Sequence, residues 1–339
     1  MNEHADVPYI EQWYRRFATS KLAGQSDLYR SWALGVADDT ELLRLLCELP
    51  REKRQPHLVF AVSRLLGAPE GEYRQWQQWM LAHWPRVRAE ALVRTTQTNE
   101  PGRCAAILPL LAQIDGPIAL LEVGTSAGLC LYPDRYSYDY VVDRAAGPVT
   151  LRLDPADGPS EVVLRCEVTG NAPLPTAMPD IVWRAGIDLA PLDVTDPADV
   201  RWLQMLVGPE QQDRRDRIAA AAQIVRQDPP HLVAGDVTAA LAAVATSAPA
   251  DATLVVLVVG VLVYLGPQQR SAFTEALAEL ADYGARWISL EDAPVFPAMA
   301  EAFDENPAPR PGLFPLTLDG DPVAWCSPHG QSIAWIAEP

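Results

Sequence analysis

The sequence predicts an α/β protein: a doubly wound, Rossmann-like sheet ending in an antiparallel hairpin, preceded by a helical N-terminal domain. Three observations carry this. The first hundred residues repeat apolar side chains at helical spacing and hold no strand-like run before about residue 117. From residue 118 short apolar runs alternate with helical stretches, the pattern of a buried parallel sheet. Residues 322–336 place two short apolar runs around Ser-Pro-His-Gly-Gln, as a hairpin would.

The N-terminal helices are read from Ile10, Trp13, Tyr14 and Phe17, then Leu28, Trp32 and Val36, then Leu42, Leu45, Leu46 and Leu49. Gly24, Pro50 and Gly67 punctuate them. Tyr73, Trp76, Met80 and Trp84 form a further stripe, which reads as core. Residues 1–98 are thus expected as a helical domain or cap, and 99–339 as an α/β domain.

Strands are expected at 118–123, 181–187, 231–234, 254–259 and 286–290, and the hairpin at 322–326 and 332–336. One helix is expected over about 197–225 and another over 268–280, with Ala-rich helix at 239–245. Segment 144–180 is rich in Pro, Gly and Asp but holds strand-like runs at 149–153 and 162–168. It reads as an inserted β-hairpin or lid.

Composition narrows the function. The formal net charge of −17 argues against a broad nucleic-acid backbone partner. Cys47, Cys104, Cys130, Cys166 and Cys326 are scattered and lack a CxxC pair, so they read as reduced, buried thiols of a cytoplasmic protein with no metal site. No signal peptide is seen, and the longest apolar run, 254–265, is too short to cross a bilayer. The expected partner is a small molecule, and the expected state a monomer or homodimer.

The most informative stretch is 118–131, where an apolar run ends in Glu122 and a glycine turn from Gly124 to Gly128 follows. The glycines permit a sharp turn and close approach of backbone to a ligand. A helix is expected after the turn, aiming its N–H groups at the ligand. Gly124-Thr125-Ser126-Ala127-Gly128 matches the G-x-S-x-G nucleophile elbow. Glu122-Val-Gly-Thr-Ser-Ala-Gly also resembles the first motif of class I S-adenosylmethionine (SAM) methyltransferases. A turn that binds nothing is the third reading.

In a nucleotide-binding sheet the second strand should end in an acid that accepts ribose hydroxyls. Asp188 meets this at a gap of 188 − 124 = 64 residues, and Asp143 competes at 143 − 124 = 19. The better strand precedes Asp188. The run 231–235 ends in Asp236, which in this class would face the adenine. The fourth run ends Val258-Val259-Gly260-Val261 and offers no base or nucleophile.

The chain resembles the bacterial domain-of-unknown-function family 2332. The matching stretches are Lys53-Arg-Gln-Pro, Thr96-Gln-Thr-Asn-Glu-Pro-Gly-Arg-Cys-Ala105, 121–131, Asp134-Arg-Tyr-Ser-Tyr-Asp-Tyr140, 183–194 and Pro328-His-Gly-Gln-Ser332. The resemblance implies a SAM-methyltransferase type of fold and no established activity. Family members often carry a His-Ser pair where this chain has Val258-Val259.

The expected function is SAM-dependent methyl transfer to a small molecule. Glu122, Gly124, Thr125, Ser126 and Gly128 would shape the cofactor pocket, Asp188 would hold the ribose and Asp236 the adenine. Asn99, Glu100 and Arg103 would meet the amino-acid end of SAM or the substrate, or else form a helix cap with a salt bridge. Tyr136 and Tyr138, of the set Tyr132, Tyr136, Tyr138 and Tyr140, would line the pocket. The helical domain and the insert would close over it. His329 and Gln331 read as turn residues. The alternatives are a SAM-binding protein that is non-catalytic or does not methylate, and a serine hydrolase using Ser126, Asp236 or Asp292, and His329. A dehydrogenase is disfavoured because G-x-G-x-x-G is absent.

Overall fold

The computed structural model describes residues 3–21, 26–144, 147–292 and 312–336. Gly24 lies outside them. In chain order the helices are α1 (Glu3–Arg16), α2 (Asp27–Ala37), α3 (Thr40–Cys47), α4 (Pro56–Leu65), α5 (Tyr73–Val93), α6 (Cys104–Leu111), α7 (Pro197–Leu206), α8 (Gln212–Gln227), α9 (Val237–Ala245) and α10 (Pro267–Asp282). The strands are β1 (Ile118–Val123), β2 (Ser137–Val142), β3 (Val149–Leu153), β4 (Val163–Thr169), β5 (Ile181–Asp188), β6 (His231–Ala234), β7 (Thr253–Val259), β8 (Arg286–Leu290), β9 (Phe314–Leu318), β10 (Asp321–Cys326) and β11 (Ser332–Trp335). They fall into two compact units, Met1–Thr98 with Asp196–Ala219, and Asn99–Thr195 with Ala220–Pro339.

The first unit is helical and its core is aromatic. Trp32 stacks on Trp76 at 4.9 Å, and Phe60 meets both edge-on. The Trp76 indole N–H donates to Ser63 Oγ at 2.9 Å, so the buried ring keeps a polar partner. Residues 196–219, which the sequence reading places in the second domain, belong here. The single helix expected over 197–225 is two, because Val207-Gly208-Pro209 interrupts it. The carbonyls left open at the end of α7 are taken up by side chains. Arg64, buried, donates to Met205 O at 2.8 Å and Val207 O at 2.7 Å, and also reaches Tyr29 Oη and Glu70.

The second unit is built on an eleven-stranded sheet in the order β3-β2-β4-β11-β10-β9-β8-β7-β1-β5-β6. The five apolar runs expected as parallel strands all pair in parallel, as β6-β5-β1-β7-β8. Their order reverses between β1 and β7, and the carboxyl ends of strands at such a point form a natural crevice. One face of this block is covered by α9 and α10. Leu121, Val123, Ala185, Ile187, Val256 and Val258 pack there against Leu241, Phe273 and Leu277.

Beyond β8 the sheet turns antiparallel. β9 runs against β8, and the expected hairpin, β10 with β11, continues the meander. β11 then pairs in parallel with β4, and β4 in parallel with β2. Segment 144–180 is therefore neither a separate hairpin nor a lid; its strands β3 and β4 are members of the main sheet. β2 and β9 were not expected. Helix α6 is buried along its whole length and packs on β4. An element apolar on every side must be enclosed, and the far strands help to enclose it. The Tyr140 hydroxyl, from β2, donates to Ala105 O at 3.0 Å.

One expectation about the glycine turn fails. No α-helix follows β1; the chain makes two short 3-10 turns, Leu129–Leu131 and Pro133–Arg135, and enters β2. Gly128 is left-handed at φ 74°, Tyr132 leaves helical geometry at φ −120° and ψ 42°, and Pro133 blocks a continuing helix. The helix-dipole argument for a ligand at this turn falls with it.

Candidate functional site

The turn after β1 is assembled from three directions. The Gly124 and Thr125 N–H groups donate to Ile187 O at 2.8 and 3.2 Å, tying the turn to the end of β5. The Ser126 N–H donates to Asp188 Oδ2 at 2.8 Å. The Leu129 N–H donates to Asn99 Oδ1 at 2.9 Å. Gly124 has φ 70°, and a Cβ there would lie 2.6 Å from Val261 Cγ2, so the Val261 side chain, just past β7, presses on it. Only glycine meets both conditions.

Glu122 is the acid of this turn. It is buried at 2% exposure, and its Oε2 accepts the Thr125 hydroxyl at 2.8 Å. Burial pushes its carboxyl up to about 8, against the pull of the Thr125 hydroxyl and the Arg103 charge, while Asp188 raises it further. Ser126 sits at φ 54°, and its hydroxyl is buried with no hydrogen-bond partner. No histidine is therefore bonded to Ser126 Oγ, as a nucleophile elbow would require.

Arg103 crosses to the other side of the crevice. Its Nη1 donates to Val259 O at 3.1 Å, at the end of β7, and its Nε to Pro328 O at 3.0 Å, in the tip of the C-terminal hairpin. Gly260 is left-handed at φ 73°, and a Cβ there would lie 3.0 Å from Arg103 Nη2. The hairpin tip is fixed by the same contact region: a Cβ on Gly102 would lie 2.5 Å from His329 O. His329 and Gln331 thus belong to a tip packed on the segment that carries Arg103.

The sequence reading missed Glu291. It follows β8 directly and is 1% exposed. Its Oε1 accepts the Val261 N–H at 2.7 Å and the Leu262 N–H at 3.1 Å. Burial pushes its carboxyl up to about 7, opposed by those N–H groups and by the Arg103 charge. The signal was present. The rule that picked Asp188 and Asp236, an acid just past a parallel strand, also picks Glu291 after 286–290.

The remaining expected residues have local partners. Asp188 Oδ1 accepts the Ala190 N–H at 2.9 Å, so both its oxygens hold backbone. Asp236 is the N-cap of α9, accepting the Thr238 N–H at 2.9 Å, and its carboxyl is held below the usual range by Thr238. Asp143 is exposed at the end of β2, which six strands separate from β1 in the sheet. Glu100 caps a 3-10 turn by accepting the Gly102 N–H at 3.0 Å. Tyr136 and Tyr138 are fully buried, and their hydroxyls donate to Leu129 O and Pro133 O. They brace the chain after the turn from inside the core. The structure thus brings Glu122, Gly124, Thr125, Ser126, Asp188 and Arg103 to the ends of β1, β5 and β7, places Asp236 past the end of neighbouring β6, and keeps Tyr136 and Tyr138 in packing.

Among the described residues no group of His, Cys, Asp or Glu side chains could hold a metal ion, and no helix is long and apolar enough to cross a membrane. A cleft of about 510 Å³ lies at the opposite ends of the strands, lined by residues 114–117 before β1 and 173–180 before β5.

No match was found among curated proteins or solved structures. One family model matches residues 11–335, nearly the whole chain, and its description is an uncharacterized protein conserved in bacteria. The chain belongs to that family, DUF2332.

Proposed function

We propose that the protein binds SAM at the carboxyl ends of β1, β5 and β7 and transfers its methyl group to a small molecule. The observation that carries the reading is the position of β1. The strand that ends in Glu122 and the Gly124 turn lies where the parallel order reverses, the place where open α/β sheets take ligands. The residues present fit a sulfonium nucleoside. The turn at Gly124 and the turn at Gly260 bring the ends of β1 and β7 to the same place, and Ser126 Oγ there is a buried group without a partner. Asp188 and Asp236 each keep lone pairs beyond those held by backbone, enough to accept ribose hydroxyls and the adenine amino group. Arg103 supplies the cation for the carboxylate end of the amino acid.

Methyl transfer from a sulfonium is an in-line displacement that depends on positioning and exclusion of water rather than on an acid or base. The lack of a polar side chain in Val258-Val259-Gly260-Val261 is compatible with that chemistry. The same absence favours a second reading, SAM binding without methyl transfer. The free cysteines suit a reducing, cytoplasmic setting.

Calorimetry with SAM and with S-adenosylhomocysteine tests the binding, with micromolar affinity expected. Mass spectrometry of small molecules released from the purified, denatured protein tests it independently. A folded protein that binds neither compound and releases no nucleoside ends the reading. Binding with no methyl product across a panel of acceptors leaves the second reading in place.

A further inference from the structure

Glu291 has one carboxylate oxygen in use and one in hand. Its Oε1 holds the N–H groups of Val261 and Leu262, while its Oε2 is buried with no hydrogen-bond partner. Buried polar atoms are ordinarily satisfied, so an open acceptor just past the carboxyl end of β8 points to a donor from outside the chain.

The charges around it are out of balance. Glu291, from the end of β8, and Glu122, from β1, both feel the Arg103 guanidinium. Asp188, from β5, adds negative charge beside Glu122, and the Thr125 hydroxyl and Cys130 thiol are the other polar groups facing Glu122. Two buried carboxyl groups therefore share one buried cation. Burial keeps both above the ordinary carboxyl range, so a cation arriving beside Glu291 would displace a proton.

We propose that Glu291 Oε2 receives a primary ammonium group of the bound ligand, whose charge completes the set formed by Glu122, Glu291 and Arg103. The inference rests on the nucleoside reading above and deepens it. SAM carries two cationic centres, and only its ammonium has N–H groups to give; a sulfonium donates no hydrogen bond. The amino-acid end therefore belongs between Arg103 and Glu291, with the ammonium on Glu291. The ligand class is an alkylammonium-bearing nucleoside, and Glu291 sets specificity for that end.

Calorimetry on the full chain between pH 5.5 and 7.0 tests this, a range in which an α-amino group, with its pKa of about 7.7–8.0, stays charged. The probes are S-adenosylhomocysteine, which carries the ammonium, and 5′-methylthioadenosine, which lacks it. Binding of the first should tighten by fivefold to tenfold per pH unit, with proton release visible in buffers of different ionisation heat. Binding of the second should be flat with pH. Glu291→Gln keeps an acceptor for Val261 and Leu262. It should weaken the first probe at least tenfold, flatten its pH profile, and leave the second within twofold. If both probes bind wild type but the first is flat with pH, or Glu291→Gln changes nothing, the inference is overturned and the nucleoside site stands. A proton release that survives in Glu291→Gln assigns it to Glu122 and also overturns the inference. If neither probe binds folded wild type, both readings fall. Should the variant not fold, the contrast between the two probes on wild type still decides: an ammonium-dependent slope supports the assignment, and equal slopes overturn it.

Discussion

The Ser126 N–H donates to Asp188 Oδ2 at 2.8 Å, across 62 residues of sequence. The bond is one of two between Ser126 and the chain from Asp188 onward. Asp188 Oδ1 also holds the Ala190 N–H, and the Leu192 N–H returns to Ser126 O at 3.1 Å. The acid expected to meet a ribose is thus first the clamp that shapes the crevice.

Asp188→Ala should destabilise the fold as well as weaken nucleoside binding. It leaves two backbone N–H groups without their acceptor, a loss of about 1–3 kcal/mol. Urea denaturation measures the first effect and calorimetry the second. Unchanged stability would mean that the clamp is not formed in solution.

Gly124→Ala should cost about 2 kcal/mol or more, since a left-handed residue other than glycine costs about 1–2 kcal/mol before any clash. The clash is with Val261 Cγ2, 2.6 Å from the added carbon. The double variant with Val261→Ala removes Cγ2 but keeps Cβ, 2.8 Å from the added carbon, so it should recover part of the steric cost and none of the backbone cost. Denaturation of the two single variants and the double variant should therefore be non-additive in the stabilising direction. Strict additivity would place Val261 elsewhere.

Glu122 makes stability depend on pH with a definite sign. Its folded value, about 8, lies above the ordinary 4.5, so the folded chain binds more protons than the unfolded chain between those limits. By linkage its contribution is fully present below about pH 4.5 and is lost as pH rises through about 8. Glu291 acts in the same direction up to about 7. Glu122→Gln removes the titration. The stability of the variant relative to wild type should therefore rise between pH 5 and pH 8, by at most about 1.4 kcal/mol per pH unit. Unfolding free energies at pH 5, 6.5 and 8 check this, and a difference that falls with pH contradicts it.

How much of this the sequence disclosed follows from what periodicity can encode. The apolar runs that became β1, β6 and β8 have the expected bounds, because each is a short unbroken run whose turns are marked by Gly, Asp and Pro, and β1 is buried at every residue. Helix α6 has no polar face, and Cys-Ala-Ala-Ile-Leu-Pro-Leu-Leu shows no period to read. β2 alternates tyrosines with smaller residues, but phenol hydroxyls also suit a pocket, and only the pairing with β3 and β4 settles their place in the core. The turn residues Glu122, Gly124 and Asp188 were legible because each ends a strand. Arg103 and Glu291 become neighbours only through a sheet order that no local pattern records.

Ser126 separates the two named motifs that overlap at this turn. A serine nucleophile needs a base within about 2.6–3.2 Å, and Ser126 Oγ is buried with no hydrogen-bond partner. Its backbone at φ 54° is where glycine is at ease and serine is not. Ser126→Gly should therefore stabilise the fold by about 1 kcal/mol, because relief of about 1–2 kcal/mol of left-handed strain exceeds the entropic cost of glycine, about 0.5–1 kcal/mol. It should weaken nucleoside binding only modestly, by about 0.5–1.5 kcal/mol, since it removes the Ser126 hydroxyl but keeps the backbone N–H that Asp188 grips. A fluorophosphonate probe should leave the wild type unlabelled. Labelling that disappears in Ser126→Gly would show that the hydroxyl finds a base in solution, and the G-x-S-x-G reading would then displace the sulfonium one.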